Sequence, residues 1–142
     1  MRAPFPWRRK QARALTMQHT FLVMVGGAIG AALRYHLGKF SFRFLGTGWP
    51  WGTLGANILG GLAMGILAGW LAFRAAEGGE QIRLFMAVGV LGGFTTFSAF
   101  SLETMLMIER GEMLSALAYM VVSVGLSVGA LALGLTFMRA VA

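Results

Sequence analysis

Residues 92–103 read Gly92-Gly93-Phe94-Thr95-Thr96-Phe97-Ser98-Ala99-Phe100-Ser101-Leu102-Glu103. Most of this stretch belongs to an uncharged run, 84–102, long enough to cross a bilayer as a helix of roughly 18–20 residues. Two glycines followed by two β-branched threonines are nevertheless poor material for a continuous helix. Unwound backbone at membrane depth is tolerated only where it is buried in protein or lines a wet cavity. Freed carbonyls there bind a cation, and half-helix N-termini face anions. The alternative is an intact helix whose Ser and Thr hydroxyls bond to their own backbone.

Outward from this stretch, three more uncharged runs cover 14–33, 44–73 and 113–138. Hydrophobic residues make up 57 % of the 142-residue chain and charged residues 12 %, with a mean hydropathy of +0.72. A soluble domain carries about 25 % charged residues. The sequence therefore predicts an all-α integral membrane protein with four transmembrane helices, at about 20–37, 52–73, 84–108 and 113–138, the third broken near its middle. The runs are too long for membrane strands and lack their two-residue alternation. Trp49-Pro50-Trp51 suits the interfacial belt. Arg74–Arg83 and Glu109–Glu112 read as polar turns. Glycines recur every four residues at Gly26 and Gly30, at Gly61, Gly65 and Gly69, and at Gly125 and Gly129. Such stripes let helix backbones approach closely. So small a chain encloses little by itself, which predicts an oligomer.

Several chemistries drop out. There is no cysteine, hence no thiolate nucleophile and no Cys-type metal site. His19 and His36 belong to no metal-binding pattern. Glu77, Glu80, Glu109 and Glu112 fall in polar segments, so an enzyme has little to build with. The net charge of +7 is uneven: Arg2, Arg8, Arg9, Lys10 and Arg13 crowd the N-terminus. Residues 1–16 read as a basic N-terminal extension ahead of a membrane domain at 17–142. Its natural partner is anionic lipid, not nucleic acid, and Met17 is an alternative start. No signal-peptide cleavage pattern is present. Without the extension, Arg74, Arg83 and Arg139 on the side of the termini face Arg34, Lys39, Arg43 and Arg110 on the other. Such a balance permits insertion both ways; with the extension the count favours termini inside.

Candidate site residues lie in the spans. Phe97 and Phe100 share a helix face, and a phenyl edge is electropositive enough to face an anion; plain packing is the alternative. Asn57 offers two N–H donors. Tyr119, Ser123 and Ser127 form a polar stripe at i, i+4 and i+8. Both features also suit helix–helix hydrogen bonding. Glu103, the one carboxylate near a span interior, is either functional or interfacial.

These residues resemble the Fluc/CrcB family of fluoride channels. The motifs are Gly26-Gly27-Ala28-Ile29-Gly30-Ala31 with Arg34-Tyr35, then Trp51-Gly52-Thr53-Leu54-Gly55-Ala56-Asn57 with Gly60, then residues 92–101 with Glu103. The likeness runs from about Met17 to the C-terminus, and several motifs in order make it specific. It implies a fluoride-selective channel that passively releases cytoplasmic fluoride across the cell (inner) membrane. It implies an antiparallel, dual-topology homodimer with two pores lined by Asn57, Phe97, Phe100, Ser101, Tyr119, Ser123 and Ser127. It also implies a structural Na+ at the dimer centre, held by the backbone carbonyls of Gly92 and Thr95 from both copies, with Arg34 at a vestibule or interface. A β-branched residue at Gly92 is expected to be excluded by crowding or by backbone angle. The rival readings are a small proton-coupled multidrug-type exporter using Glu103 and a scaffold without ion flux.

Overall fold

A computed structural model describes residues 6–73 and 79–141, with side chains from residue 16 onward. Arg2, the side chains of Arg8, Arg9, Lys10 and Arg13, and Arg74, Glu77 and Gly78 lie outside the described residues. The elements are helical throughout. They are α1 (Pro6–Leu45), α2 (Trp51–Phe73), a third span assembled from several pieces, and α6 (Met113–Val141). The third span consists of α3 (Gly79–Ile82), a π-helical segment (Arg83–Leu91), α4 (Gly92–Phe94) and α5 (Phe97–Glu109).

Four stretches are long and apolar enough to cross a membrane: Thr16–Leu45, Trp51–Phe73, Gly79–Glu109 and Met113–Val141. The shortest has 23 residues, about 34 Å of helix against roughly 30 Å of hydrocarbon. The protein is a multi-pass membrane protein. Large side chains such as Phe21, Leu117 and Leu133 are exposed, as they must be where lipid is the solvent.

Helix boundaries differ from the sequence expectation where charge was taken as a stop signal. The first span was expected to end at Leu37, ahead of Lys39 and Arg43, but α1 continues to Leu45. Lys39 lies over the Tyr35 ring at 5.5 Å and Arg43 over the Phe44 ring at 5.9 Å. The stop is Gly46, whose φ of +76° places it in the left-handed conformation that ends many helices. The third span likewise starts at Gly79, so Glu80 and Arg83 sit in its first turns as a 2.8 Å ion pair. The turn before α6 closes α5 in a Schellman arrangement: Glu112 N–H donates to Met107 O and Gly111 N–H to Ile108 O, both at 2.9 Å.

Glycine fixes the packing. α1 lies along the π segment and α4, and α2 along α6. A Cβ on Gly26 would stand 2.5 Å from the Phe85 carbonyl oxygen, one on Gly93 2.6 Å from that of Gly27, and one on Gly61 2.6 Å from that of Ser127. These backbones therefore touch. Gly125 and Gly129 differ, with nothing within 4 Å of a Cβ built on either.

The break in the third span falls at the threonines and not at the glycines. Gly92 is helical, with φ −63° and ψ −37°. Thr95 (φ −81°, ψ 158°) and Thr96 (φ −154°, ψ 120°) are extended. Within one protomer the expected exclusion of a side chain at Gly92 does not arise. Its angles suit any residue, and a Cβ there meets only Ala87 O at 3.6 Å. Gly93, pressed on Gly27, is the position that tolerates no side chain.

Candidate functional site

One face of α2 reads along the third span. Thr53, Asn57 and Gly60 are spaced i, i+4 and i+7, so they share that face. Thr53 Oγ1 donates to Glu103 Oε1 at 2.7 Å. Asn57 Nδ2 donates to Thr96 O at 3.1 Å, and Thr96 N–H donates back to Asn57 Oδ1 at 2.9 Å. The bare Cα of Gly60 leaves room for the Thr95 methyl group, which would meet a Cβ at that position. Tyr119 O–H reaches across from α6 to Glu103 Oε2 at 2.8 Å. Both carboxylate oxygens of Glu103 thus receive a hydroxyl.

The break is also capped from within. Thr96 Oγ1 accepts from Ala99 N–H at 3.2 Å, an N-cap that starts α5. Thr95 Oγ1 donates to Leu91 O at 2.9 Å, so that side chain is engaged by its own helix. Thr96 is buried at 7 % exposure.

Two hollows meet at Thr96. A vestibule of about 480 Å³ is walled by Arg34, Thr53, Glu103, Arg110 and the Trp49-Pro50-Trp51 cluster. A cleft of about 460 Å³ is walled by Asn57, Thr95, Phe97, Phe100, Ser123 and Ser127. Thr96 lines both. In the cleft wall, Ser123 Oγ and Ser127 Oγ are buried with no hydrogen-bond partner among the described residues. Buried hydroxyls are nearly always satisfied, which makes these two an exception in the cleft wall.

The structure brings most of the sequence candidates together and separates a few. Phe97 and Phe100 stack at 5.5 Å between ring centres, and Phe100 meets Tyr119 at 5.3 Å. Phe100 is buried at 8 %, whereas Phe97 is 76 % exposed and points off the protomer. Ser101 is not brought into the cleft: its hydroxyl donates to Phe97 O at 2.9 Å, the local back-bond that Ser favours in a helix. Gly92 lies on the exposed side of the span. Tyr119 faces Glu103 rather than continuing the Ser123 and Ser127 row into the cleft. Three residues were quoted within the motifs but given no site role by the sequence reading: Thr53, Thr96 and Gly60. The first and last share the spacing of Asn57 on α2. Thr96 stands three residues before Ala99 at a helix start, an N-cap position.

The CrcB-like protein, Camphor Resistance (CrcB) family profile matches residues 21–135. A relative from Hyphomonas neptunium is 56 % identical over 123 residues, 87 % of this chain and 97 % of its own. One from Phenylobacterium zucineum is 57 % identical over 125 residues, 88 % and 98 % of the two chains. One from Novosphingobium aromaticivorans is 52 % identical over 128 residues, 89 % of this chain and the whole of its own. Each of the three carries the name fluoride-specific ion channel FluC. With four membrane-spanning helices, an interrupted third span and a profile match over most of its length, the chain belongs to the CrcB family.

Proposed function

We propose that this protein is a fluoride-selective ion channel, with no catalytic turnover, that lets cytoplasmic fluoride leave the cell passively and so limits its toxicity. The names of the relatives support this reading, and the observation that carries it is the pair of orphaned hydroxyls in the cleft. Fluoride is small and strongly hydrated, so a conduit must replace its water with donors yet hold it loosely. Ser123 and Ser127 supply O–H donors. Asn57 has one Nδ2–H left after its bond to Thr96. Phe97 and Phe100 supply electropositive ring edges. The route runs from the vestibule, where Arg34 contributes positive charge, past Glu103 and Tyr119 into the cleft.

The cleft is open on the side of Phe97, and one protomer does not enclose it. The occupant that closes it in this reading is a second, antiparallel copy in the cell (inner) membrane. Without the N-terminal extension the Lys/Arg count is balanced and permits both orientations, and the uncovered Gly125 and Gly129 leave backbone for a partner helix.

The same dimer would hold one Na+ at its centre on the carbonyls of Gly92 and Thr95 from each copy. The donor set fits: neutral carbonyls at a helix break suit a hard monovalent cation, Gly92 being the helical residue just ahead of the break and on the exposed side, and Thr95 extended within it. Such an ion would contribute fixed positive charge that does not titrate. The residues themselves hold the break open and orient the four oxygens.

An exporter would need Glu103 free to exchange protons with substrate, and both of its oxygens are engaged by hydroxyls. Fluoride-loaded liposomes test the channel reading. Fluoride efflux is expected without a proton gradient, with chloride efflux far slower. Phe97→Ile, which keeps apolar bulk without the ring edge, is expected to cut fluoride flux by up to about tenfold, the weight of one lost aromatic contact, while dimers persist. Equal rates for the two anions, or flux that requires a pH gradient, would overturn it.

A further inference from the structure

In an uninterrupted α-helix the carbonyl of residue i accepts from the N–H of residue i+4. Across the break, the N–H assigned to Gly92 O is that of Thr96, and the one assigned to Thr95 O is that of Ala99. Both are taken elsewhere. Thr96 N–H donates to Asn57 Oδ1 at 2.9 Å, and Ala99 N–H donates to Thr96 Oγ1 at 3.2 Å. The two donors removed from the helical ladder are those of the two carbonyls assigned to Na+ in the reading above.

We infer that Asn57 and Thr96 are positioning residues for the cation site: each captures the one backbone N–H that would otherwise occupy a ligand carbonyl. This rests on the sodium reading and goes beyond it, because neither side chain touches the ion. Asn57 acts from α2, so the cation site of one span is set by its neighbour. Thr96 acts from within the break, its extended backbone turning its own hydroxyl onto the first turn of α5. Gly60, one turn further along α2, accommodates the Thr95 methyl and keeps the threonine pair in register with Asn57. The inference also assigns most of the Asn57 amide to the break and leaves a single N–H for the cleft.

Thr95–Thr96 is the one Thr-Thr pair in the sequence. Full-length protein labelled with 13C-carbonyl and 15N threonine, reconstituted in liposomes, therefore reports this single peptide bond by solid-state NMR. In sodium-free buffer, Thr96→Val (read through 15N valine) should shift the Thr95 carbonyl signal to its hydrogen-bonded position, as Ala99 N–H returns to it. Asn57→Leu should move the Thr96 amide signal to a helical position. Both variants should weaken 22Na+ binding roughly tenfold, the competition offered by one neutral hydrogen bond. Thr96→Ser, which keeps the oxygen, should restore both the carbonyl signal and the affinity. The inference is overturned if the carbonyl shifts as described while 22Na+ affinity stays at the wild-type value. It is equally overturned if neither signal moves in the variants. A wild-type Thr95 carbonyl signal that ignores added sodium overturns the sodium reading itself, a different result from either.

Discussion

Ahead of the break, the third span meets α1 backbone to backbone; after the break, it meets α2 and α6 through side-chain hydrogen bonds. The first contact is made by glycine. Gly26 and Gly30 lie on the π segment and α4, and Gly89 and Gly93 answer them. The second is made by Thr53, Asn57 and Tyr119 on Glu103 and Thr96. Shape positions one half and hydrogen-bond geometry the other. Lipid gives no hydrophobic drive between helices, so close packing and polar bonds are the two means available. A span in two pieces uses one for each piece and can hold a polar site without loosening its anchor.

The sharpest way to break this contrast is on the glycine side. A Cβ at Gly30 runs into the Val90 carbonyl oxygen and would stand 2.8 Å from Phe94 N. Gly30→Val should cost about 3 kcal/mol or more, since backbone yields less than side chains when a packed contact is overfilled. Loss of folded protein on size-exclusion chromatography in detergent is the expected result. A fully folded variant would show that the first half is not fixed by shape.

A smaller effect is expected on the polar side. Glu103→Ala removes the acceptor of the Thr53 and Tyr119 hydroxyls, and with one of them finding another partner the loss is about 1–3 kcal/mol in all. Glu103→Gln keeps an acceptor for one hydroxyl and should melt between Glu103→Ala and the wild type. Thermal melting of the three proteins checks the order. Equal melting of Glu103→Ala and wild type would mean that the carboxylate fixes nothing.

The smallest effect belongs to the turn joining the polar half to α6. There Arg110 Nε donates to Glu112 Oε1 at 2.9 Å. The hydrogen bond from Arg110 holds the Glu112 carboxyl below its ordinary value of 4.5. A carboxyl whose folded-state value is depressed stabilises the fold above its ordinary range, and the gain is lost as pH falls through the folded value. Melting should therefore stay flat from about pH 8 to 5 as far as this pair is concerned, with a slight decline only below the carboxylate range. The pair is exposed, and Glu112→Gln should leave melting at neutral pH nearly unchanged. A large drop would place structural weight on a turn that the Gly111 Schellman bonds already close.

Four spans, the membrane setting and the position of the last turn were legible from charge spacing and residue type alone. Each is a local or additive property: a run of apolar side chains is long enough or it is not, whatever its neighbours. The extent of α1 was missed because charges at Lys39 and Arg43 do not stop a helix, whereas a left-handed glycine does. The break was expected within the Gly92–Thr96 cluster, and the structure narrows it to Thr95 and Thr96. Gly92 and Gly93 look like helix breakers in isolation, yet one is helical and the other is needed for contact with Gly27. Only the tertiary structure decided that Thr95 and Thr96 leave the helix, because the backbone N–H and C=O of Thr96 find their partner in Asn57, 39 residues away. Helix propensity is summed along the chain, but the partner of a buried N–H is chosen in space.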